Sequence, residues 1–280
     1  MKIVLAGAFG KLGNEILRAL VRDGHEVIAA GLVVRGTSDI ESMVTIKKIE
    51  VTDKSSLSGL CDGADVVIST VGLTGSSSNV TNFDIDYQGN VNLLEEAKRS
   101  GVKKFIYTSV LKADGDPTVP MLHAKRMFED ELKKSGIPYV IFRPTGYFYD
   151  IAKVFMPMIE KGKVTLLGKK PVHANVIDTT DLADFILLHM NDNNKTFDIG
   201  GTETYSYEEI AHMFFAAAGK PAVIKRAPVF LFTILAALAK RKKNGKEAII
   251  KFSKWTLTHE MVAEHKYGKL SFKEYIKNCY

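Results

Sequence analysis

Apolar and polar positions in the first half of the chain alternate between two periods. Ile3-Val4-Leu5-Ala6 is a short continuous apolar run within residues 2–6 and reads as a strand buried on both faces. Leu12, Ile16, Leu17, Leu20 and Val21 then recur at helical spacing and predict an amphipathic helix. The same change of period repeats. Strands are expected over 26–30, 45–51, 65–70, 104–109 and 138–142, with Gly31 bulging the second or extending it into 32–35. Helices are expected over 55–61, 86–100 and 120–135. Strands separated by helices imply an α/β fold with a doubly wound parallel sheet.

After Arg143-Pro144 the rhythm changes. Helices are expected over 151–161 and 181–190, and strands over 163–167, 173–177 and 196–200. Ser206 and Glu209 form a capping box that opens a helix to residue 218. Residues 227–240 read as an apolar helix closed by the basic run 240–243 and Asn244-Gly245, and the Gly, Ser, Thr and Asn of 73–82 as a flexible loop. The division this suggests is a domain over 1–150, with 172–200 partly returning to it, and a smaller substrate lobe over 151–280.

Between the first strand and first helix stand Gly7, Gly10 and Gly13, spaced G-x-x-G-x-x-G. A diphosphate needs main-chain N–H donors at close range, and a helix N-terminus adds unpaired N–H groups and the positive end of its dipole. Strand, glycine turn and helix together make this a dinucleotide-binding, Rossmann-type signature, with the backbone of Gly7, Ala8, Phe9, Gly10, Lys11, Leu12 and Gly13 as the cradle. A carboxylate after the second strand would select NAD. Residues 27–36 hold none and carry Arg35 instead; with Lys11 it suits a 2′-phosphate, so NADP is favoured over NAD. Glu50 is placed either to meet the adenine edge or as a surface carboxylate beside Lys47 and Lys48. Thr70, Val71 and Gly72 end the fourth strand, where ligands of open parallel sheets gather.

Composition narrows the picture without changing it. The chain has 280 residues, 46% of them apolar, enough for one large domain or a domain with a lobe. A net charge of +6 is no argument for nucleic acid. Cys61 and Cys279 have neither disulfide-framework nor metal spacing, so no metal is expected and a cytoplasmic setting is the simple reading. The apolar run after Lys2 is too short for a secretion signal, and residues 227–239 are too few for a membrane span of about 20 residues.

Four segments carry a family resemblance: GAFGKLG at 7–13, DVVISTVG at 65–72, DYQGNVNLLEEAKRSGVKKFIYTSV at 86–110 and GIPYVIFRPTGYF at 136–148. In these the chain resembles the atypical short-chain dehydrogenase/reductases of the NmrA-like type. Further segments, including HAKRMFEDELKKSG at 123–136 and FDIGGTETYSYEEIA at 197–211, look most like the divinyl-chlorophyllide vinyl reductases. The resemblance implies NADPH bound along Gly7, Gly10, Gly13, Arg35 and Thr70, with Ser109 and Lys125 at the active site. Short-chain dehydrogenases pair that Ser with Tyr-x-x-x-Lys; here Met121 stands where the tyrosine would be.

Hydride transfer needs the nicotinamide held against an electrophilic carbon, usually with a proton donor opposite. Lys125 is expected to hold the nicotinamide ribose and Ser109 to bind a substrate oxygen. Met121 has no proton to give, which leaves Lys125, His123, Tyr147 and Tyr149 as donors. Pro144 and Thr145 are expected at the carboxamide end. Phe148, Tyr149, Phe155 and Phe214 read as core. The helix over 229–239 either lines an apolar substrate pocket or, with residues 240–243, touches an anionic membrane surface. The main expectation is an NADPH-dependent reductase of a small apolar substrate. The rivals are a non-catalytic redox sensor and an assembly subunit that keeps the cofactor for stability, the latter predicting an exposed apolar patch around 229–239.

Overall fold

The computed structural model describes residues 1–73, 75, 77, 79–242 and 244–280. Thr74, Ser76 and Ser78 of the expected loop, and Lys243 of the basic run, lie outside the described residues.

In chain order the first half is β1 (Lys2–Ala6), α1 (Lys11–Arg22), β2 (Glu26–Gly31), β3 (Thr45–Lys48), α2 (Lys54–Leu57), β4 (Val66–Ser69), a π-helical segment (Phe83–Gly89) running into α3 (Asn90–Arg99), β5 (Lys104–Thr108), α4 (Pro120–Lys134) and β6 (Tyr139–Pro144). The second half is α5 (Phe148–Glu160), β7 (Val164–Leu167), β8 (His173–Ala174), α6 (Thr179–Leu188), β9 (Lys195–Gly200), β10 (Tyr205–Ser206), α7 (Tyr207–Ala217), β11 (Ile224–Ala227), α8 (Phe230–Arg241), α9 (Lys246–Thr256), β12 (His265–Lys266) and α10 (Phe272–Lys277).

Eight parallel strands form the central sheet in the order β12-β9-β6-β5-β4-β1-β2-β3. The order reverses between β1 and β4, and the crevice beyond the strand ends there is where such sheets take ligands. Strand alternation sorts the core. Ile3 and Leu5 face Ile16, Leu17 and Leu20 of α1 and Leu182, Phe185 and Ile186 of α6. Val4 and Ala6 face the other way, toward Leu93, Leu94, Phe128 and Leu132 of α3 and α4. A third cluster joins Phe148 and Phe155 of α5, Ile210 and Phe214 of α7, and Phe272 and Ile276 of α10. Within the segment 172–200, α6 packs on α1 and β9 pairs with β6, whereas β8 pairs with β10 outside the sheet.

Three expectations need correction. The second strand does not continue through 32–35. A Cβ on Gly31 would stand 2.8 Å from the Phe9 ring, and beyond it Leu32, Val33 and Val34 are exposed in a loop. The helix expected over 86–100 begins as a π-helix at Phe83. After residue 241 the chain forms α9, β12 and α10, none of which its periodicity predicts. Among the described residues, no helix is long and apolar enough to cross a membrane.

Candidate functional site

The glycine turn is built by close approach. Gly7 has φ +82°, a left-handed conformation that favours glycine, and a Cβ there would stand 2.5 Å from Thr70 Oγ1. A Cβ on Gly13 would overlap the Gly7 carbonyl, so α1 lies against the turn only because residue 13 has no side chain. The Gly7 and Ala8 amides donate to the Ala30 carbonyl at 2.9 and 3.1 Å, and the Thr70 hydroxyl donates to the Gly7 carbonyl at 3.2 Å. Ala8, Phe9 and Leu12 bury their side chains, so the turn presents main chain rather than side chains. The N-cap of α1 is Gly10, with no side-chain cap and no acid in the first turn, so the helix end keeps its uncompensated positive character. Arg35 Nε donates to the Phe9 carbonyl at 3.1 Å, which sets an exposed guanidinium at the turn, and Lys11 is exposed beside it.

At the ends of β4 and β5 lies a second group. Lys125 is buried on α4, with Nζ 3.2 Å from Asp86 Oδ1, and it donates to the Thr108 carbonyl at 3.3 Å and the Tyr107 hydroxyl at 3.4 Å. Gly72 makes room for this pair, since a Cβ there would stand 2.8 Å from Asp86 Oδ1 and 3.2 Å from Lys125 Nζ. Asp86 is held by Asn82 Nδ2 at 2.9 Å and the Leu73 amide at 3.2 Å, both on Oδ2. Asn90, one helical turn on, takes the Ser69 hydroxyl at 2.6 Å. Four buried side-chain polar atoms among the described residues have no hydrogen-bond partner, and three belong to this corner: Thr108 Oγ1, Ser109 Oγ and Asp86 Oδ1, of which Asp86 Oδ1 has the Lys125 ion pair and the two hydroxyls have nothing. Such groups are costly unless something pairs with them. Burial, aided by the charges of Asp86 and Glu129, pushes the Tyr107 hydroxyl well above the ordinary tyrosine range, so it stays protonated.

The other expected residues fall into place unevenly. Thr145 donates its hydroxyl to the Asn175 carbonyl at 2.8 Å, so this side chain already has a partner. Arg143 turns to α4, in a buried bidentate pair with Glu129 at 2.9 and 2.6 Å. The Glu50 carboxylate accepts from the Thr52 amide and hydroxyl at 3.2 and 2.9 Å. Val71 is buried in the second core cluster and Pro144 is buried at the end of β6. Met121 is half-buried in the first turn of α4, and His123 packs edge-on to Phe83 at 5.5 Å. Tyr147 and Tyr149 stack at 5.6 Å, and burial raises both hydroxyls above the ordinary range. Phe148, Phe155 and Phe214 are core. Burial pushes the Cys61 thiol up to about 12, which leaves it unreactive. A cavity of about 380 Å³ lies between α8, α9 and the 116–119 loop; neither Ser109 nor Lys125 lines it. No metal-binding cluster occurs among the described residues.

Sequence reasoning missed Asp86, Asn82, Asn90 and Thr108. Asn82, Asp86 and Asn90 recur every fourth residue, a polar stripe on one helical face, and that was the available signal. It missed Asn175 too. Asn175 is wholly buried, donates to the Gly201 and Ala263 carbonyls, and accepts from the Ala263 amide at 2.8 Å, tying the C-terminal segment to the loop after β9.

An uncapped helix N-terminus behind a glycine turn suits a diphosphate. Residues 1–262 match the model of the NmrA-like family. Photosystem II assembly factor Ycf39 of Cyanophora paradoxa is 28% identical over 239 residues, 82% of this chain and 72% of that protein. Chloroplastic divinyl chlorophyllide a 8-vinyl-reductase of Arabidopsis thaliana is 26% identical over 274 residues, 86% of this chain and 64% of that one. Among solved structures, the NADPH-dependent quinone oxidoreductase QOR2 of Escherichia coli, complexed with NADPH, superposes with TM-score 0.70 at 19% identity, covering 99% of both chains.

Proposed function

The chain belongs to the NmrA-like family, and on that footing we propose that it is an NADPH-dependent reductase of the atypical short-chain dehydrogenase type. Its substrate is a small apolar molecule with a conjugated double bond or carbonyl, taken up between the sheet edge and the lobe of residues 151–280. One observation carries this reading: Lys125 is buried and held by Asp86 at 3.2 Å and the Thr108 carbonyl at 3.3 Å, while the hydroxyls of Thr108 and Ser109, at the end of β5, are buried without a hydrogen-bond partner. The relative named as a vinyl reductase supports it.

The amides of the turn and first helical turn that Ala30 and Gly7 do not take, those of Phe9, Lys11, Leu12 and Gly13, hold the diphosphate, and Arg35 with Lys11 meets the 2′-phosphate. Lys125, oriented by Asp86, binds the nicotinamide ribose and keeps positive charge beside the developing anion. When bound, the nicotinamide supplies the hydride. Ser109 offers its free hydroxyl to a substrate oxygen. The completing proton comes from Lys125, His123, Tyr147, Tyr149 or water, because Met121 has none.

The test is transfer of tritium from NADPH labelled at the reactive carbon to a panel of quinones, enones and conjugated alkenes. Label in an organic product, reduced at least a hundredfold by Lys125→Met, is the expected result. A second reading, a dinucleotide-binding sensor or assembly protein without turnover, draws on Met121 and on the relative named as an assembly factor. It predicts NADPH binding with no label transferred to any of the panel.

A further inference from the structure

Helix α8 turns its apolar side outward. Thr233, Ala236, Ala237 and Lys240 line the cavity against α9, where Lys254 donates to Thr233 Oγ1 at 2.9 Å. The opposite side carries Leu231, Ile234, Leu235 and Leu238 at i, i+3, i+4 and i+7, with Phe230 beside them. These are 40, 50, 48, 48 and 61% exposed, and Ala236 is the one buried residue of the helix. A stripe of that spacing ordinarily faces a core, yet here it faces outward.

Charge identifies what would cover it. From residue 210 to residue 246 the sequence contains no Asp or Glu and eight basic residues, so this segment carries +8 against +6 for the whole chain. Arg226 is neutralised by Glu208. Lys240, Arg241, Lys242 and Lys246, at the end of α8 and the start of α9, are exposed, and among the described residues none of them is in an ion pair. The helix has 12 residues, too short to span a bilayer and suited to lying in its surface.

We propose that α8 docks on an anionic phospholipid bilayer, a role beyond the reductase reading and independent of it. Phe230, Leu231, Ile234, Leu235 and Leu238 enter the boundary between headgroups and acyl chains. Arg241, Lys242 and Lys246 meet the headgroup phosphates. A single exposed stripe with cations crowded at one end, the nearest acid, Glu247, being taken by Lys251, fits a plane of negative charge better than a protein face of mixed sign.

Cosedimentation with vesicles tests this, using phosphatidylcholine alone and phosphatidylcholine with about one-third phosphatidylglycerol. The full chain is expected to sediment with the anionic vesicles at least tenfold more tightly than with the neutral ones, and to be released by 0.5 M salt, a concentration at which screening is short-ranged, about 4 Å. Leu235→Ser/Leu238→Ser and, separately, Arg241→Glu/Lys242→Glu should each lower binding at least tenfold with thermal unfolding unchanged. No sedimentation of the wild type with anionic vesicles overturns the proposal. So does wild-type binding that both variants retain. A concentration-dependent dimer in sedimentation equilibrium, lost in Leu235→Ser/Leu238→Ser and accompanied by no vesicle binding, assigns the face to a second copy and equally overturns it.

Discussion

Lys125 Nζ lies 3.2 Å from Asp86 Oδ1, and the glycine at position 72 leaves the room in which they meet. Asp86 therefore positions the lysine and, through Asn82 and the Leu73 amide, also fixes the loop that follows β4. Asp86→Ala leaves a buried ammonium without its carboxylate and should destabilise the protein by about 3 kcal/mol, the low end for a broken buried pair. Urea denaturation measures it. Asp86→Asn keeps an acceptor for Leu73 and should recover most of the stability while still weakening NADPH binding. Equal losses in both variants would assign Asp86 a purely structural part.

Arg35 meets the glycine turn from outside, anchored on the Phe9 carbonyl. Its guanidinium has no acidic partner among the described residues and is free to pair with a phosphate. Arg35→Ala should weaken NADPH at least tenfold and change NADH less than twofold, at least fivefold or about 1 kcal/mol of discrimination. Fluorescence titration with both dinucleotides gives the ratio. An equal effect on the two would remove Arg35 from the 2′-phosphate site.

The Arg143–Glu129 pair is buried and bidentate, and it joins β6 to α4 beneath the Lys125 corner. Truncating one partner strands the other. Asp114 and Asp198, 3.5 and 3.9 Å from Arg143, soften that loss. Glu129→Ala should therefore cost about 3 kcal/mol, with Glu129→Gln recovering part of it. The same denaturation experiment decides between them.

Acid sensitivity should reside partly in Glu96. Hydrogen bonds from the Arg99 guanidinium, both at 2.8 Å, hold its carboxyl below the ordinary range. Because the folded value is depressed, the unfolded chain takes up the proton first as pH falls. The stabilisation is complete above the unfolded pKa of about 4.3 and is lost as pH drops through the lower folded value. Melting temperatures of the wild type should fall more steeply below that point than those of Glu96→Gln, the two curves converging in acid.

Much of this architecture is legible in residue periodicity. β1, the glycine turn and α1 can be read directly because a buried run, three glycines and a helical stripe follow each other within one stretch. The capping box of Ser206 and Glu209 is equally local. What escapes the sequence is held by distant contacts. β12 has two residues, too few for alternation to register, and exists because β9 offers it an edge. Asn175 and Asp181 act on residues 261–270, far along the chain, by bonds no spacing announces. Leu32, Val33 and Val34 read as a strand by composition, yet the chain leaves the sheet after Gly31, where the Phe9 ring fills the space of a side chain. Lys125 could be singled out as a site residue, but its partner Asp86 becomes visible only once the π-helix brings it under Gly72.

Main-chain amides of the opening turn are the proposed seat of a dinucleotide diphosphate. Isothermal titration of the pure protein with NADPH, alongside Gly13→Ala, tests that most directly. A saturable heat with one site per chain, absent in the variant whose new methyl group overlaps the Gly7 carbonyl, is the expected result. No heat from the wild type with either NADPH or NADH would contradict it.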